Sequence, residues 1–451
     1  MLLFSRLLIL IFHLQYWFWL AVLASVTSIA TYLATPGHAQ SVPVCPSNDA
    51  ASTGSIPDSL SLPSTASSDT LDLLQQSWLA YRDRFIQGDG RVIDREANDR
   101  TVSEGQAYAM LRAVMINDPD TFQRTLSWAE SNLIRADESG DRTDSLWAWK
   151  WGRLSNGEWK TIDANFASDA DLDAVVALIL AARRWNCPAY LDLAQEKLED
   201  LWELSTVEVK GDRYLLPGPQ QVFGQEDGTV ILNPSYLAPY AFRLFAQVDP
   251  RRDWLSLVDS SYRTLEESAA LSEVGLPSDW VSLNLETGEF QPLPASNSLR
   301  TRYGFDAYRV WWRIAWDYAW FEDERAERYL KQRLAYLQDL WQTQQAIPAE
   351  IDLQGDALVD YEATSQYAML YSAFQLIDPT IAEQIYRQKL MPQYRNGFWD
   401  SDSAYYTQNL AWFALVPWTA SEDLVQDTGC ANSFSLDQLK QFFHSLVASH
   451  L

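Results

Sequence analysis

Three acidic residues stand at the start of apolar, alanine-rich stretches that lie far apart in the sequence. Glu104 opens EGQAYAML, Asp169 opens DADLDAVVAL, and Asp306 opens DAYRVWWR. Carboxyl groups that a fold brings together can act as an acid and a base, because one can donate a proton while another accepts one. If the fold gathers these three side chains, they form a candidate site for acid–base chemistry.

The distribution of histidine narrows the chemistry further. The chain contains four histidines, of which His13 and His38 lie near the N-terminus and His444 and His450 near the C-terminus. The body between them therefore has no Ser-His-Asp triad and no His-rich metal site. It also has no P-loop and no glycine-rich dinucleotide motif. We expect carboxylates, tyrosines and arginines to carry the chemistry, without a metal or a cofactor.

Helix capping is the ordinary structural alternative for these acids. Ser103 is followed three residues later by Gln106, and Ser168 is followed by Asp171, so both starts resemble capping boxes. Acids in a first helical turn are also favoured by the helix dipole. Capping remains open for any one acid taken alone, whereas acids at equivalent places in separate repeats favour a shared site.

The composition is that of an acidic globular protein. The 451 residues carry a formal net charge of −26, and 47% of them are hydrophobic. This apolar content suffices for one large domain or two smaller ones. The negative charge argues against nucleic acid as a partner, because it repels phosphate, and it favours a neutral or cationic substrate.

The N-terminal segment has the pattern of an export signal. Residues 1–39 contain one arginine, then a long run without formal charge, and they end in Gly-His-Ala. They predict a signal peptide, with an uncleaved membrane anchor as the alternative, because about 20 apolar residues can cross a bilayer. Residues 40–69 are rich in Ser, Pro and Thr and predict a linker, so the folded domain covers 70–451. We expect a secreted or periplasmic protein, membrane-anchored if the leader is retained.

Six segments of this domain share one organisation. Each begins with a polar or acidic cluster, runs through an alanine-rich amphipathic stretch, and ends near a turn. The six segments begin at Glu104, Asp169, Ser235, Phe305, Glu362 and Tyr405. Each predicts a helix hairpin, and six hairpins favour a closed all-α ring, because closure buries the inner face of every unit. The inner helices would then start at one rim and bring the acids together there. An open solenoid is the alternative.

Aromatic residues are abundant and several fall near the same helix starts. The chain has 20 Trp, 21 Tyr and 18 Phe. Flat rings stack on the apolar faces of sugars while nearby polar groups bind the hydroxyls, and sites of this kind combine aromatic walls with a few aimed polar groups. Because the Trp147, Trp149 and Trp151 run alternates with other residues, we do not expect its rings to face one way. The candidate sugar contacts are Trp149, Tyr236, Tyr405 and Tyr406.

Several of these stretches resemble one known family. ASDADLDAVVALILAARRW closely matches the signature of glycoside hydrolase family 8, and NPSYLAPYAFRLFA and YYTQNLAWFA are similar to other segments of that family. SEGQAYAM resembles the stretch that bears the acid, which implies Glu104 as general acid. RYGFDAYRVWWR resembles the stretch that bears the base, which implies Asp306 as general base with Arg309 beside it as a substrate-binding residue. The resemblance covers about residues 70 to 420 and implies an (α/α)6 toroid of six helix hairpins.

The family resemblance also implies a reaction. It implies inverting endo-hydrolysis of β-1,4-glucosidic bonds in cellulose or a related glucan, with Asp169 holding sugar hydroxyls at the cleavage point. The whole chain looks most like the bacterial endoglucanases that accompany cellulose synthesis, which implies association with a cellulose synthase. Hydrolysis of chitosan or xylan, a polysaccharide-binding toroid without catalysis, and a lyase remain alternatives. One departure bears on activity, because Phe305 stands where many members carry tyrosine.

The cysteines are few. Cys45, Cys187 and Cys430 are the three in the chain, and two can pair in an oxidising compartment. A bridge between Cys45 and Cys430 would tie the two tails together and is the pairing we expect. Three free thiols are the alternative.

Overall fold

The computed structural model describes residues 42–43, 68–418 and 422–425. Within this part of the chain, helices form the main architecture. The helices of seven residues or more are α1 (Ser68–Phe85), α2 (Ser103–Met115), α3 (Pro119–Asn132), α4 (Ser168–Trp185), α5 (Pro188–Leu204), α6 (Pro239–Val248), α7 (Trp254–Ala269), α8 (Tyr308–Phe321), α9 (Glu324–Arg333), α10 (Ala335–Gln344), α11 (Thr364–Ile377), α12 (Pro379–Ile385) and α13 (Tyr405–Leu415). Shorter helical turns cover Gln220–Phe223, Pro234–Tyr236, Tyr386–Leu390, Met391–Gln393 and Glu422–Val425.

Six of these helices form a closed inner ring. Helix α2 packs on α4, α4 on α6, α6 on α8, α8 on α11, and α11 on α13, and α13 returns to α2. An open solenoid is therefore wrong, because the last inner helix contacts the first. The architecture is the (α/α)6 toroid of six helix hairpins that the repeats predicted. Closure removes the two unpaired ends that an array of repeats would otherwise expose to water.

The outer helices pack against the inner ones in pairs. Five pairs follow the chain: α2 with α3, α4 with α5, α6 with α7, α8 with α9, and α11 with α12. The sixth inner helix, α13, instead packs on α1 from the beginning of the domain. The indole of Trp412 on α13 donates to the carbonyl of Leu74 on α1 at 3.1 Å. The sixth hairpin is thus completed by the two ends of the domain.

Small residues let the inner helices approach closely. Every residue from Ser168 to Ala181 of α4 is buried, and the alanines among them allow neighbouring backbones near contact. The outer helices are amphipathic, and α7 buries one face while the other meets water. A helix buried on every side cannot lie at the surface, which explains why the alanine-rich segments are the inner ones.

Short antiparallel strands occupy the connections between helices. The strands are β1 (Thr101–Val102), β2 (Ile134–Ala136), β3 (Arg142–Trp147), β4 (Lys150–Arg153), β5 (Trp159–Asp163), β6 (Thr206–Val209), β7 (Asp212–Leu215), β8 (Thr229–Leu232), β9 (Val281–Asn284), β10 (Phe290–Gln291), β11 (Tyr394–Arg395) and β12 (Phe398–Trp399). The two three-stranded sheets have the orders β1-β4-β5 and β10-β9-β8. Strand β1 leads directly into α2, so the first sheet fixes where that helix begins.

The cysteine pairing expected from the sequence is wrong. Cys187, which immediately precedes α5, is disulfide-bonded. Because the chain has three cysteines, a bond to Cys187 excludes both a Cys45–Cys430 bridge and three free thiols. Cys45 and Cys430 themselves lie outside the described residues.

The leader predicted for residues 1–39 also lies outside the described residues, as does most of the linker. Among the residues that the structure describes, no helix is both long enough and apolar enough to span a bilayer.

Candidate active site

The three acids are positioned by the starts of three inner helices. Glu104 and Asp169 are each the second residue of their helix, α2 and α4, and Asp306 lies two residues before α8. Arg309 is the second residue of α8. The ring therefore turns positions that are up to 202 residues apart in sequence (Glu104 to Asp306) into neighbours.

One guanidinium binds all three carboxylates. Nη1 of Arg309 donates to Oε2 of Glu104 at 2.6 Å and to Oδ2 of Asp169 at 2.8 Å. Nη2 donates to Oδ1 of Asp306 at 2.6 Å and to the hydroxyl of Ser235 at 3.0 Å. Covalent geometry holds the two terminal nitrogens about 2.3 Å apart, so these oxygens of Glu104 and Asp306 are no more than about 7.5 Å apart.

The acids differ in their exposure to solvent. The side chain of Asp306 is 32% exposed and that of Glu104 is 18% exposed, whereas Asp169 is 3% exposed and Arg309 2%. Glu104 and Asp306 are thus accessible from outside, and Asp169 and the guanidinium lie beneath them. A ligand that enters this opening meets two carboxyl groups first.

Burial raises the pKa of Glu104 to about 7. Loss of hydration is the largest cause, because it penalises the charged form. The Arg309 guanidinium acts in the opposite direction, the charge of Asp169 raises the pKa again, and the hydrogen bond from Tyr405 lowers it. Burial also raises the pKa of Asp169. At neutral pH Glu104 can therefore carry the proton that a general acid needs.

Capping does not explain the polar residues at these helix starts. The N-cap positions of α2 and α4 are Val102 and Ala167, and neither has a side-chain cap. The hydroxyl of Ser168 donates instead to the carbonyl of Leu216 at 2.7 Å, and Gln106 bonds backbone groups of other segments. The capping-box interpretation is wrong because Ser103 and Ser168 lie inside their helices instead of at the N-cap, and Gln106 bonds backbone groups of neighbouring segments.

Two of the predicted sugar contacts bond directly to the site. The hydroxyl of Tyr405 donates to Oε1 of Glu104 at 3.0 Å, and that of Tyr406 donates to the carbonyl of Phe305 at 2.7 Å. The guanidinium of Arg309 lies over the ring of Tyr236, 5.2 Å from its centroid. Phe305 itself is 39% exposed beside Asp306. The structure therefore brings these aromatic residues together with the acids.

The three tryptophans of the alternating run take different environments. Trp147 is fully buried and donates to Glu130 at 2.8 Å, while Trp151 stacks on Trp159 at 5.3 Å. Trp149 is half-buried, and its carbonyl accepts the N–H of Ser103 at 3.0 Å, beside the start of α2. The expectation that these rings do not all face one way is confirmed, but alternation is not the reason, because alternation alone would place three such rings on one face of a strand. The rings diverge because β3 ends at Trp147 and β4 begins at Lys150.

Two residues that the sequence did not single out contact Asp306 or its loop. The indole of Trp280 donates to Oδ2 of Asp306 at 3.0 Å, and Asp279 accepts the N–H of Ala307 at 2.9 Å. Neither residue lies at a helix start or in an alanine-rich repeat. The pair Asp-Trp before a strand gives no signal of its own, because only the fold brings it to Asp306.

The arrangement of the acids suits acid–base catalysis without a metal ligand set. In the described part of the chain, His, Cys, Asp and Glu side chains form no group of three able to hold a metal ion. The three carboxylates instead face one fixed cation, which holds them together. Glu104 and Asp306 differ in their surroundings, because Tyr405 contacts Glu104 and Trp280 contacts Asp306.

Comparison with known families decides the membership. The model of glycosyl hydrolases family 8 matches residues 59–420, which include all three acids and Arg309. The chain belongs to glycosyl hydrolase family 8. The resemblance seen in the short motifs therefore extends over most of the chain.

Two relatives named endoglucanase align with this chain over part of their length. An endoglucanase of Xanthomonas axonopodis pv. citri is 37% identical over 267 residues, which are 58% of this chain and 63% of that relative. An endoglucanase of Escherichia coli K12 is 34% identical over 237 residues, which are 52% of this chain and 60% of the relative. The alignments thus span about three fifths of the length of these curated relatives.

A solved structure supports the fold. The endo-1,4-D-glucanase of Vibrio fischeri ES114 superimposes with a TM-score of 0.64 at 25% identity, covering 75% of this chain and 93% of that one. The ring of helices is therefore shared with this endo-1,4-D-glucanase over nearly the whole of its chain.

Proposed function

We propose that this protein is an inverting endo-hydrolase of β-1,4-glucosidic bonds in cellulose or a related glucan. One observation carries the proposal: a single buried guanidinium holds two solvent-accessible carboxyl groups, Glu104 and Asp306, with Asp169 beneath them. Family 8 membership and relatives named endoglucanase support the reaction class.

Glu104 is the proposed general acid and Asp306 the general base. Cleavage of a glycosidic bond needs a proton on the departing oxygen and a nucleophile on the opposite face of the sugar. Glu104, with its raised pKa, gives that proton, and Asp306 removes a proton from the attacking water. Attack opposite the leaving group inverts the anomeric carbon. Inverting enzymes hold the two carboxyl groups about 6.5–9.5 Å apart and retaining enzymes about 5–5.5 Å. The upper limit of about 7.5 Å set by Arg309 admits both separations, so the anomer of the product decides between them.

The remaining residues are assigned to binding and positioning. Asp169 holds hydroxyls of the sugar at the cleavage point, and Trp149, Tyr236, Tyr405 and Tyr406 contact the chain of sugars. We assign Arg309 mainly to holding the acids, because both of its terminal nitrogens are occupied by them and it is almost fully buried. The sequence also predicted that Arg309 binds sugar directly, and the occupied nitrogens support this role less than its role in holding the acids.

The proposal includes a cellular location for the protein. Residues 1–39 act as a signal peptide or a membrane anchor, residues 40–69 as a linker, and residues 70–451 as the catalytic domain. The enzyme then acts in the periplasm or outside the cell, where it meets glucan, and an association with a cellulose synthase follows from the likeness to endoglucanases. N-terminal sequencing of the native protein separates a cleaved leader from an anchor.

Product analysis tests the function. The purified protein is incubated with soluble cellulose derivatives, mixed-linkage glucan, xylan and chitosan, and fresh products are followed by proton NMR. We expect internal cleavage of β-1,4-glucan and α-anomers at the new reducing ends. Cleavage of xylan or chitosan alone would show that one of these polysaccharides, and not β-1,4-glucan, is the substrate. β-Anomers would exclude inversion. An unsaturated product that absorbs in the ultraviolet would indicate a lyase. Binding to glucan without release of reducing sugar would favour a non-catalytic toroid.

Replacing Asp169 by Asn is expected to move the basic limb of the pH–rate profile to lower pH. The charge of Asp169 raises the pKa of Glu104, and a neutral amide removes that effect, so Glu104 loses its proton at lower pH. The rate of hydrolysis also falls, because Asp169 contacts the sugar in our proposal. The measurement is kcat/KM against pH for both proteins.

Asp171→Asn provides the matched control for this variant. Asp171 lies on the same helix, but it accepts the N–H of Trp147 at 3.2 Å and lies 3.9 Å from Lys197 instead of bonding Arg309. We expect the basic limb of the pH–rate profile of Asp171→Asn to stay at the same pH as in the unsubstituted protein. If the basic limbs of the pH–rate profiles of Asp169→Asn and the unsubstituted protein lie at the same pH, the coupling between Asp169 and Glu104 is refuted.

A further inference from the structure

Two adjacent residues, Asp279 and Trp280, hold the turn that carries Asp306. They immediately precede β9, and the backbone N–H of Asp279 donates to the carbonyl of Arg302 at 2.7 Å. Oδ1 of Asp279 accepts the N–H of Ala307, the residue after Asp306, at 2.9 Å. The turn is therefore attached to this segment on both sides of the acid.

Gly304 shows how closely Asp279 approaches the turn. A Cβ atom built on Gly304 would lie 2.6 Å from Oδ2 of Asp279, closer than real Cβ contacts come. A side chain at position 304 would therefore push the carboxyl group away from the turn. The carboxyl of Asp279 is 5% exposed and packs against the backbone of the loop instead of facing solvent.

Trp280 fixes the carboxylate itself. Its indole N–H donates to Oδ2 of Asp306 at 3.0 Å, while Arg309 holds Oδ1 of the same carboxylate. The Trp280 ring stacks on Phe223 with the planes 4° apart and lies 6.0 Å from the ring of Tyr236. Because two rings contact the indole, the direction of its N–H is restricted. Asp306 is thus oriented by donors at both oxygens.

We propose that Asp279 and Trp280 are positioning residues for the general base, Asp279 by holding the turn and Trp280 by orienting the carboxylate. The inference rests on the proposed function, in which Asp306 activates water. Neither residue needs to touch the substrate for this role. A base displaced by about 1 Å from its productive position can cost about 100-fold in rate.

The hydrogen bond of Asp279 matters more here than its charge. Burial, and next the charge of Asp306, raise the pKa of Asp279 to about 7, so the carboxyl is partly neutral at neutral pH. The nearby guanidinium of Arg302 is 3.5 Å away and bonds Glu350 more closely, at 2.6 Å. An Asn at position 279 keeps an acceptor oxygen for Ala307, whereas an Ala does not.

Three variants test the inference. For Asp279→Ala we expect kcat on soluble β-glucan to fall about 100-fold with KM nearly unchanged, because binding does not need the base. Asp279→Asn is expected to stay within about fivefold of the unsubstituted protein, since it keeps the hydrogen bond. Trp280→Phe, which keeps a ring but lacks the donor, should lose about tenfold in kcat. It also serves as the test if Asp279→Ala does not fold.

Asp249→Ala is the matched control for loss of a buried carboxylate. Asp249 is 1% exposed and accepts the indole N–H of Trp254 at 3.1 Å, before α7. We expect it to lower the melting temperature without lowering kcat. The inference is overturned if Asp279→Ala is folded and keeps kcat within threefold, if Asp279→Asn loses as much as Asp279→Ala, or if the loss is in KM.

A crystal structure of Asp279→Ala provides a readout independent of activity. We expect the Asp306 carboxylate to be displaced by more than about 0.5 Å or to take several positions. An unmoved Asp306 overturns the inference whatever the assays show. If the unsubstituted protein hydrolyses none of the polysaccharides while Asp306 still moves in the variant, the proposed function fails and the positioning contact stands.

Discussion

Glu104→Gln is expected to lower kcat on β-1,4-glucan by about 10²–10⁴-fold while the protein stays folded. The amide cannot donate a proton to the departing oxygen, although it keeps the shape of the side chain. The same variant should retain most of its activity on an aryl glycoside with a dinitrophenolate leaving group, because that group departs without a proton. The measurement is kcat on both substrates, with circular dichroism to show that the fold is intact.

The control for this variant is another acid in a first helical turn. Asp120 lies in the first turn of the outer helix α3 and is exposed, so Asp120→Asn should leave both activities unchanged. The assignment of Glu104 as general acid is wrong if Glu104→Gln hydrolyses glucan at nearly the original rate. It is also wrong if the activated substrate is affected as strongly as the glucan.

Asp306→Asn is expected to lower kcat by a similar factor, about 10²–10⁴-fold, on glucan and on the activated substrate alike. Water still needs a base when the leaving group is good, so a better leaving group does not help. Azide is a nucleophile that needs no deprotonation, so it can attack without the base. Addition of azide should therefore restore turnover and give an α-glycosyl azide, which mass spectrometry and NMR identify.

Glu324→Gln supplies the comparison for Asp306→Asn. Glu324 is an exposed acid in the first turn of α9, and its replacement should change neither substrate's rate nor the response to azide. A β-configured azide would show that attack does not invert the anomeric carbon. Activity of Asp306→Asn close to that of the unsubstituted protein would remove Asp306 from the mechanism.

The single guanidinium explains how the site can hold an acid and a base together. Arg309 offers one positive charge to three carboxyl groups, so full ionisation would place three negative charges around one positive charge. Buried like charges resist ionisation together, which is one reason that the pKa of Glu104 is raised despite the nearby cation. The arrangement gathers the acids and also leaves Glu104 partly protonated near pH 7.

The sequence determined the ring and the acids that face its opening. Alanine-rich segments with a helical period predict helices that are buried on every side, and six such segments favour a closed ring, because closure covers their inner faces. Because inner helices start at one rim, Glu104, Asp169 and Asp306 were expected to meet, and they do. The motifs around these acids also identified the family, since the chemistry restricts which residues can stand there.

The tertiary structure decided which groups hold these acids and which contacts surround each of them. Local pattern predicted helix caps at Ser103 and Ser168, but partners distant in sequence bind the side chains at both starts. The contacts of Asp279 and Trp280 with the turn of Asp306 follow from the packing of the β9 segment against that turn. Periodicity along a chain reports which face is buried, whereas a hydrogen bond between distant segments depends on their exact separation in space, which only the packed fold determines.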